Sequence, residues 1–227
     1  MKPSIKIISV LLLFMNFNSY SQQYWHRVGG GLGQVGTGEV VVSLLNDTIN
    51  HLLYASGNFN EADDTIGCSG VVNWDSQNWT TNTNFNSNPS TKVLGFFQGK
   101  IFIGTTNQNT GNVAYNLSGT TWASAGYMND GGVSCLCVYH NKLYAGGRFT
   151  NVDGIPATFI ACYDGANWSE PGGGIWCTQF PGDVSAMCVW NDKLIVGGNF
   201  NQAGGVFVHS VAAWNDTTWS DVGGGGN

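Results

Sequence analysis

Two stretches decide the fold: Val133–Phe149, VSCLCVYHNKLYAGGRF, and Val184–Phe200, VSAMCVWNDKLIVGGNF. They align without a gap at an offset of 51 residues, and the Val-Ser start, the Lys-Leu pair, the Gly-Gly pair and the final Phe coincide. A third copy occupies Leu44–Phe59, and a more degenerate fourth copy occupies Val93–Thr105. Because internal self-similarity is the sequence signature of repeat architectures, the chain is predicted to consist of four related units.

A tryptophan in a second block of each copy gives the length of the repeat. In this block an aromatic residue precedes a polar turn, as in Trp214-Asn215-Asp216, and a tryptophan follows the turn. The spacings are 54, 43, 46 and 51 residues along the series Trp25, Trp79, Trp122, Trp168 and Trp219. Repeats of about 40–50 residues with several short strands are typical of propeller blades, whereas leucine-rich and ankyrin repeats are shorter and would need helices.

Each copy is predicted to form four antiparallel strands. The first strand, VSCLCVY in Val133–Tyr139, is apolar on both faces, as expected of a strand that is covered on both sides. The second strand ends in the Gly-Gly pair, which suits a bulge or a close backbone approach. Only 10% of the residues are charged and 33 are Gly, a composition that disfavours disorder and long helices. We therefore expect an all-β protein whose sheets stack, since one such sheet leaves both apolar faces uncovered.

The Gly-Gly strand, the aromatic–Asp turn and the following tryptophan together resemble kelch-type and galactose-oxidase-like β-propeller repeats. They are also similar to the propeller repeats of large secreted bacterial proteins that often end in a type-nine secretion sorting domain. The resemblance covers nearly all of residues 22–227 and implies a β-propeller with four four-stranded blades. The blades are expected at about residues 32–79, 80–122, 123–168 and 169–219, with residues 220–227 starting a further repeat.

The two ends of the repeat region indicate an open arrangement. Trp25–Leu32 matches Trp168–Ile175, so it is interpreted as a fourth strand with no blade before it. Trp219–Gly225 matches the same segment and is interpreted as a fourth strand that leads into another repeat. We expect an open, partial propeller of four blades that belongs to a longer protein. The alternative is a closed four-bladed ring with one surplus strand, since propellers usually have about 4–8 blades.

The N-terminus predicts export. Residues 1–21 combine Lys2 and Lys6, an apolar run over Ile7–Met15 and small residues at Ser19 and Ser21, which is the pattern of a secretory signal peptide. The apolar run is shorter than the roughly 20 residues that span a bilayer, so we expect a secreted or cell-surface protein without membrane insertion. Without Lys2 and Lys6, six basic residues face 14 acidic ones. This balance argues against a nucleic-acid partner, because phosphate binding depends on Lys and Arg.

The candidate binding surface is one face of the predicted propeller. In a four-stranded antiparallel sheet, the loops between strands two and three emerge on the same face as the connections between blades. These loops are long and differ between copies, and they occupy residues 31–39, 60–68, 126–132, 150–157, 175–183 and 201–208. Variable loops on a rigid scaffold are where binding is usually found. The predicted binding residues are the aromatic and acidic residues Tyr127, Asp130, Asp153, Trp176, Phe180 and Asp183.

The inventory of residues disfavours an enzyme. A carboxylate-binding clamp needs several arginines, and the chain has only Arg27 and Arg148. Four scattered histidines do not indicate a copper site, and no phosphate loop, nucleophile elbow or calcium loop is present in the sequence. We expect no catalytic residues, no metal and no cofactor. The expected function is a non-catalytic module that binds protein or carbohydrate; the alternatives are a non-catalytic part of a larger secreted enzyme and a structural spacer.

The six cysteines all follow the signal segment, and export permits disulfides. Six cysteines allow 15 complete pairings, between which the sequence does not decide. Cys68 and Cys177 are predicted to lie in loops on the same face, and they are the candidate disulfide. Cys137 and Cys188 occupy equivalent positions of two copies and are interpreted as small core residues, since equivalent positions face the same way on successive blades.

Overall fold

The structure, a computed structural model, describes residues 32–33, 40–63, 65–66, 68, 70–81, 92–105, 110–118, 121–178 and 181–223. The signal peptide predicted at residues 1–21 and the candidate binding residue Phe180 lie outside these ranges. All regular elements of the described residues are β-strands, so the expectation of an all-β protein is confirmed. Over the same ranges, no helix has the length and apolarity that crossing a membrane requires.

Twenty-four strands make up this part of the chain. The strands of its first half are β1 (Leu32–Gly33), β2 (Val40–Asp47), β3 (Leu52–Asn58), β4 (Glu61–Ala62), β5 (Thr65–Ile66), β6 (Val71–Trp74), β7 (Trp79–Thr81), β8 (Lys92–Phe97), β9 (Lys100–Thr105), β10 (Thr110–Ser118) and β11 (Thr121–Asn129). The strands of its second half are β12 (Val133–Tyr139), β13 (Lys142–Gly147), β14 (Asn151–Val152), β15 (Ile155–Pro156), β16 (Ile160–Tyr163), β17 (Trp168–Ser169), β18 (Ile175–Trp176), β19 (Asp183–Trp190), β20 (Lys193–Asn199), β21 (Gln202–Ala203), β22 (Val206–Phe207), β23 (Val211–Trp214) and β24 (Trp219–Asp221).

The longer strands form four antiparallel four-stranded units in chain order, one for each copy of the repeat. Sheet 1 has the order β2-β3-β6-β7, sheet 3 the order β12-β13-β16-β17 and sheet 4 the order β19-β20-β23-β24. Sheet 2 has the order β8-β9-β10-β11, and β14 and β15 extend it to six strands. Each strand pairs with the next long strand along the chain, so every unit is an up-and-down meander as the sequence predicts.

Short strands connect each sheet to the segment before it. In sheets 1, 3 and 4 the connection between the second and third strands forms a short hairpin, and each strand of the hairpin is two residues long. These hairpins are β4–β5, β14–β15 and β21–β22. Each hairpin pairs with the segment that precedes its own sheet, namely β1, the end of β11 and β18. We call these three-stranded units the junction sheets. The segments predicted as loops at residues 60–68, 150–157 and 201–208 therefore contain paired strands.

A glycine on the second strand lets neighbouring sheets approach closely. A Cβ atom added at Gly104 of sheet 2 would lie 2.6 Å from Cγ1 of Val133 in sheet 3. A Cβ atom added at Gly146 of sheet 3 would likewise overlap Cγ1 of Val184 in sheet 4. Both valines stand beside a register shift in their strand. The first strand of one sheet thus inserts a valine where the glycine of the previous sheet leaves space.

The apolar core lies in layers between consecutive sheets. One cluster joins Leu94 and Ile103 of sheet 2 to Val71 of sheet 1. A second cluster joins sheets 2 and 3 and contains the buried rings of Phe97, Phe102, Tyr163 and Trp168. A third cluster joins sheets 3 and 4 and contains the buried rings of Tyr139, Tyr144, Phe200, Trp214 and Trp219. Since sheets 2 and 3 each supply one side of two of these layers, and sheets 1 and 4 one side of a single layer, neighbouring sheets stabilise one another by mutual burial.

The turn between the third and fourth strands is the same in three sheets. Asp75, Asp164 and Asn215 each accept hydrogen bonds from the backbone N–H groups two and three residues later, at 2.6–3.1 Å. Such side-chain-to-backbone bonds favour a tight turn at Asp and Asn. The turn brings an aromatic pair together across the strands, with ring centroids 5.3, 4.9 and 5.0 Å apart for Trp74–Trp79, Tyr163–Trp168 and Trp214–Trp219.

Candidate binding site

The junction sheets lie at the end of the sheets where the sequence places the variable loops. Each combines the connection between two strands of one sheet with the segment that enters that sheet. In the junction sheet of sheet 4, Ile175 and Ala203 are paired and fully buried, whereas Val206, which completes this row, is 40% exposed. The alternate row faces outward, because successive residues of a strand point to opposite faces. This outward row is the candidate site.

The outward row consists of Trp176, Gln202 and Phe207, which are directly paired across β18, β21 and β22. Residues opposite each other in antiparallel strands share one face, with Cβ atoms about 5 Å apart. Trp176 and Phe207 therefore flank the Gln202 side chain at a separation of roughly 10 Å. The Trp176 side chain is 47% exposed and the Phe207 side chain is 73% exposed. The result is an open platform with an amide between two aromatic rings.

Hydrogen bonds hold the platform in one arrangement. The indole Nε1 of Trp176 donates to the carbonyl oxygen of Gly173 at 3.0 Å, which fixes the ring above its own turn. Asn201 Nδ2 donates to Thr178 Oγ1 at 2.7 Å, and the Thr178 N–H donates to Asn201 Oδ1 at 3.2 Å. These bonds tie β18 to the hairpin beside it. A ligand that meets this surface therefore encounters a Trp176 ring that is already held in place, which reduces the entropic cost of binding.

The three predicted acidic residues take part in the local structure of the loops. Thr150 Oγ1 donates to Asp130 Oδ2 at 2.6 Å, and the Tyr127 N–H donates to Asp153 Oδ1 at 2.9 Å. Ser185 Oγ donates to Asp183 Oδ2. Asp130 and Asp153 also have positive φ angles of 65° and 49°, a conformation that Asp tolerates better than most residues. Each carboxylate thus keeps some capacity to accept further hydrogen bonds; Asp130 and Asp153 lie in connections between strands, whereas Asp183, which was expected in a loop, is the first residue of β19.

The aromatic candidates are not gathered at one point. Tyr127 was expected in a loop, but it lies within β11, which continues to Asn129 because the hairpin β14–β15 pairs with its end. Its side chain is exposed, on the junction sheet of sheet 3. Trp176 belongs to the junction sheet of sheet 4. The structure therefore brings together Trp176 and Phe207, whereas Tyr127 belongs to the neighbouring unit.

The candidate disulfide is not formed. Cys177 is a free thiol, next to the platform residue Trp176. Cys68 lies in the apolar cluster of sheet 1, among Ala55, Phe59 and Val72. The structure therefore lacks the expected bridge between these two residues.

The opposite end of the sheets holds a polar cluster between sheets 3 and 4. His140, in the turn after β12, contacts Asp192 Oδ1 through Nε2 at 2.9 Å and Asp216 Oδ2 through Nδ1 at 2.6 Å. Both ring nitrogens donate only in the protonated imidazolium, and these hydrogen bonds to Asp192 and Asp216 raise the pKa of His140. The Tyr144 hydroxyl donates to Asp216 Oδ1 at 3.2 Å. The cluster connects two sheets, and we interpret it as a structural clamp.

Sequence reasoning missed two features of these surfaces. It placed Phe207 in a loop without singling it out, although the alignment sets Val206-Phe207 against Ile155-Pro156 of the previous copy. It also did not identify the contacts of His140, because the partner Asp216 is 76 residues away along the chain. In the described part of the chain, no group of three or more His, Cys, Asp or Glu side chains is arranged to hold a metal ion.

In comparisons with known proteins, this chain matches no protein-family model and no curated protein. The kelch-like resemblance stays a prediction that depends on the repeated residues alone.

Proposed function

We propose that this protein is a secreted or cell-surface, non-catalytic β-propeller module that binds carbohydrate through the face formed by its junction sheets. The observation that carries the proposal is the outward row Trp176–Gln202–Phe207, two exposed aromatic rings on either side of an amide. A sugar ring has an apolar face of C–H groups and a rim of hydroxyls. The two aromatic rings offer a flat apolar surface to the C–H face of the sugar. The amide offers donors and an acceptor to the sugar hydroxyls.

Sheet 4 is the last described sheet, but the exposure of this row does not result from the lack of a following sheet. Ile155 and Pro156 occupy the positions of Val206 and Phe207 in the preceding junction sheet, and both are exposed although sheet 4 follows. The lack of a following sheet therefore does not explain why residues of the junction sheets are exposed. Apolar groups that stay in water on a rigid scaffold are typical of interaction sites.

The propeller part of the proposal is supported by the order of contacts between sheets. The first strands β2, β8, β12 and β19 contact one another in succession, each with the first strand of the next sheet. Strands that neighbour each other in this way are expected at the inner side of a fan of blades. The kelch-like and galactose-oxidase-like resemblance and the type-nine secretion context are consistent with the same arrangement, and the signal-like segment at residues 1–21 supports export.

Three other functions stay open as candidates. A protein ligand would use the same exposed rings, since aromatic residues are enriched at protein interfaces. The chain could also be a non-catalytic part of a larger secreted enzyme or a spacer, and in either case the platform would have no sugar ligand of its own. The preformed, flat and uncharged character of the row favours carbohydrate over these alternatives.

The test is affinity electrophoresis of the purified chain in gels that contain individual soluble polysaccharides. We expect at least one polysaccharide to retard the protein. Trp176→Ala and Phe207→Ala are each expected to weaken that interaction by about tenfold or more, as truncation of a central aromatic contact does. Because both side chains are largely exposed, each variant should keep the melting temperature within a few degrees of the parent protein.

Ile155→Ala provides the matched control, because Ile155 is an exposed apolar residue of the neighbouring junction sheet. It should migrate as the parent protein does in every gel. If the folded parent protein is retarded by no polysaccharide, the carbohydrate proposal is wrong. Equal losses for Ile155→Ala and Trp176→Ala would also contradict it, because they would indicate unspecific apolar adhesion.

A further inference from the structure

The outer face of sheet 4 has the features of a sheet-to-sheet interface, but no sheet of the described residues lies against it. Gly197 occupies the position of Gly146 and Gly104, which accept the valine of the next sheet. A Cβ atom added at Gly197 would meet nothing closer than the Ser210 carbonyl oxygen of its own sheet, at 3.9 Å. Around this open position lie Cys188, which is exposed, and Trp190, whose side chain is 61% exposed. We call this surface the socket face.

The matching surface lies on sheet 1. Val41 pairs with Gly57 beside a register shift, as Val184 pairs with Gly198 in sheet 4. Leu44 pairs with Ala55, as Leu136 pairs with Ala145 in sheet 3. Leu136 packs on Gly95 of sheet 2, where an added Cβ atom would lie 3.2 Å from the Leu136 Cβ. Val41 is only partly buried and Leu44 is 42% exposed. We call this surface the knob face.

We propose that two copies of this chain associate end to end, with the knob face of sheet 1 in one copy packed on the socket face of sheet 4 in the other. The chain already forms this type of contact between its own sheets, at Gly104–Val133 and at Gly146–Val184. The second copy therefore supplies the surface that fits the socket face. This surface is a bulged first strand with a valine, followed by a large aliphatic residue. The association continues an interface that the sequence already encodes within one molecule.

A closed pair satisfies both ends at once. The contact is heterologous, because the two surfaces that meet are different. When two copies are related by a twofold axis, each gives its knob face to the socket face of the other, so that no socket or knob face is left uncovered. The stack then contains eight sheets, which is within the usual range for closed propellers. The exposed apolar side chains of both faces are removed from water in this arrangement.

The experiment is sedimentation velocity of the purified chain over a wide range of protein concentration. We expect the parent protein to sediment as a dimer, with dissociation only on dilution. Gly197→Leu is expected to sediment as a monomer, because its side chain fills the socket. Since the space around Gly197 is open, this variant should keep the circular dichroism spectrum of the parent protein. Trp190→Glu is a second substitution on the socket face and is also expected to prevent association.

Leu44→Glu is expected to abolish the dimer from the other side, and Ile49→Glu is its control. Ile49 is an exposed apolar residue in the turn after β2 and lies outside the knob face. Mixing Gly197→Leu with Leu44→Glu gives a test that is specific to a heterologous contact. The first variant keeps an intact knob face and the second keeps an intact socket face, so the mixture should recover a population of dimers that neither variant forms alone.

A monomeric parent protein at all concentrations would overturn the proposal, and a further repeat of the same pattern would then be the occupant to consider. A dimer that persists in both Gly197→Leu and Trp190→Glu would also overturn it, since the contact would lie elsewhere. If substitutions on each face abolish the dimer, but mixing Gly197→Leu with Leu44→Glu does not restore it, the heterologous arrangement is contradicted.

Discussion

The first strands of sheets 3 and 4 have nearly the same sequence and local structure but different surroundings. β12 and β19 both contain Val-Ser at or near their start, carry a register shift after the valine and end on an aromatic residue before a two-residue turn. Tyr139 at the end of β12 is 2% exposed and donates to the Asp192 carbonyl oxygen of sheet 4 at 2.9 Å. Trp190, its equivalent in β19, is 61% exposed.

The difference shows which properties of a repeat are local and which come from its neighbour. The bulge and the turn are the same in both sheets, so they follow from the residues of one copy. Burial follows from the next sheet, because β12 has sheet 4 against it and the same face of β19 has no described sheet. A substitution at one repeat position is therefore expected to act strongly in sheet 3 and weakly in sheet 4.

The largest effect is expected for Gly146→Val. The new side chain would overlap Cγ1 of Val184 and lie 2.8 Å from Cys135 Sγ, so sheets 3 and 4 would have to separate. We expect a loss of about 3 kcal/mol or more in the free energy of unfolding. The matched variant Gly197→Val, in dilute protein where association does not contribute, should change it by less than about 0.5 kcal/mol. Chemical denaturation measures both, and equal losses would contradict the comparison.

An intermediate effect is expected for Tyr144→Phe. The Tyr144 hydroxyl accepts a hydrogen bond from the buried Trp214 Nε1 at 3.2 Å and donates to Asp216 Oδ1. Its removal leaves a buried donor without its acceptor, which costs about 1–3 kcal/mol. The fourth sheet has Ile195 at this position, which offers no hydroxyl to a following sheet.

Tyr163→Phe is the control for this variant. The Tyr163 hydroxyl donates at 3.0 Å to the Gly165 carbonyl oxygen of its own turn, within sheet 3. Its loss should cost about 1 kcal/mol or less, so thermal unfolding should rank the two variants clearly. A larger loss for Tyr163→Phe would show that the contact between sheets 3 and 4 does not depend on the Tyr144 hydroxyl.

The smallest effect is expected for His140→Gln, and it should depend on pH. Hydrogen bonds to Asp192 and Asp216 raise the pKa of His140 in the folded protein. The stabilisation is therefore complete below the unfolded pKa of about 6.5 and is lost as the pH rises through the higher folded value. His140→Gln introduces the residue that sheet 2 has at this position, Gln98, which does not titrate.

Melting temperatures measured at a series of pH values between about 5 and 8.5 test this expectation around the reference value of histidine. The difference between the parent protein and His140→Gln should be largest at the acidic end and should shrink as the pH rises. A difference that is constant across the series would mean that the clamp does not depend on the charge of the imidazole.

The sequence predicts the four meanders well because their signals are local. The second strand, the Asp or Asn turn and the closing tryptophan each depend on a few adjacent residues and appear as expected in sheets 1, 3 and 4, with Ser56-Gly57 in place of the Gly-Gly pair in sheet 1. In sheet 2 the extra residues before Trp122 shift the register, and Asn116 instead of Tyr115 pairs with that tryptophan.

The junction sheets and the platform were not predictable in the same way. Strands of two residues, such as β18 and β21, have no periodic pattern, and they exist because a distant segment pairs with them. Trp176 was identified from its type and position alone, whereas its relation to Gln202 and Phe207 depends on that pairing. The clamp at His140 depends on contacts between copies, which a comparison of the copies with one another does not show.

The junction sheets also have a mechanical consequence. In a simple stack, neighbouring units touch only through side chains, and each can detach as a separate body. Here the backbone hydrogen bonds of β14 to β11 and of β21 to β18 join each unit to the segment before it. A pulling force on the chain ends would have to unzip these ladders before any unit could extend, so resistance to stretching should be shared across unit boundaries.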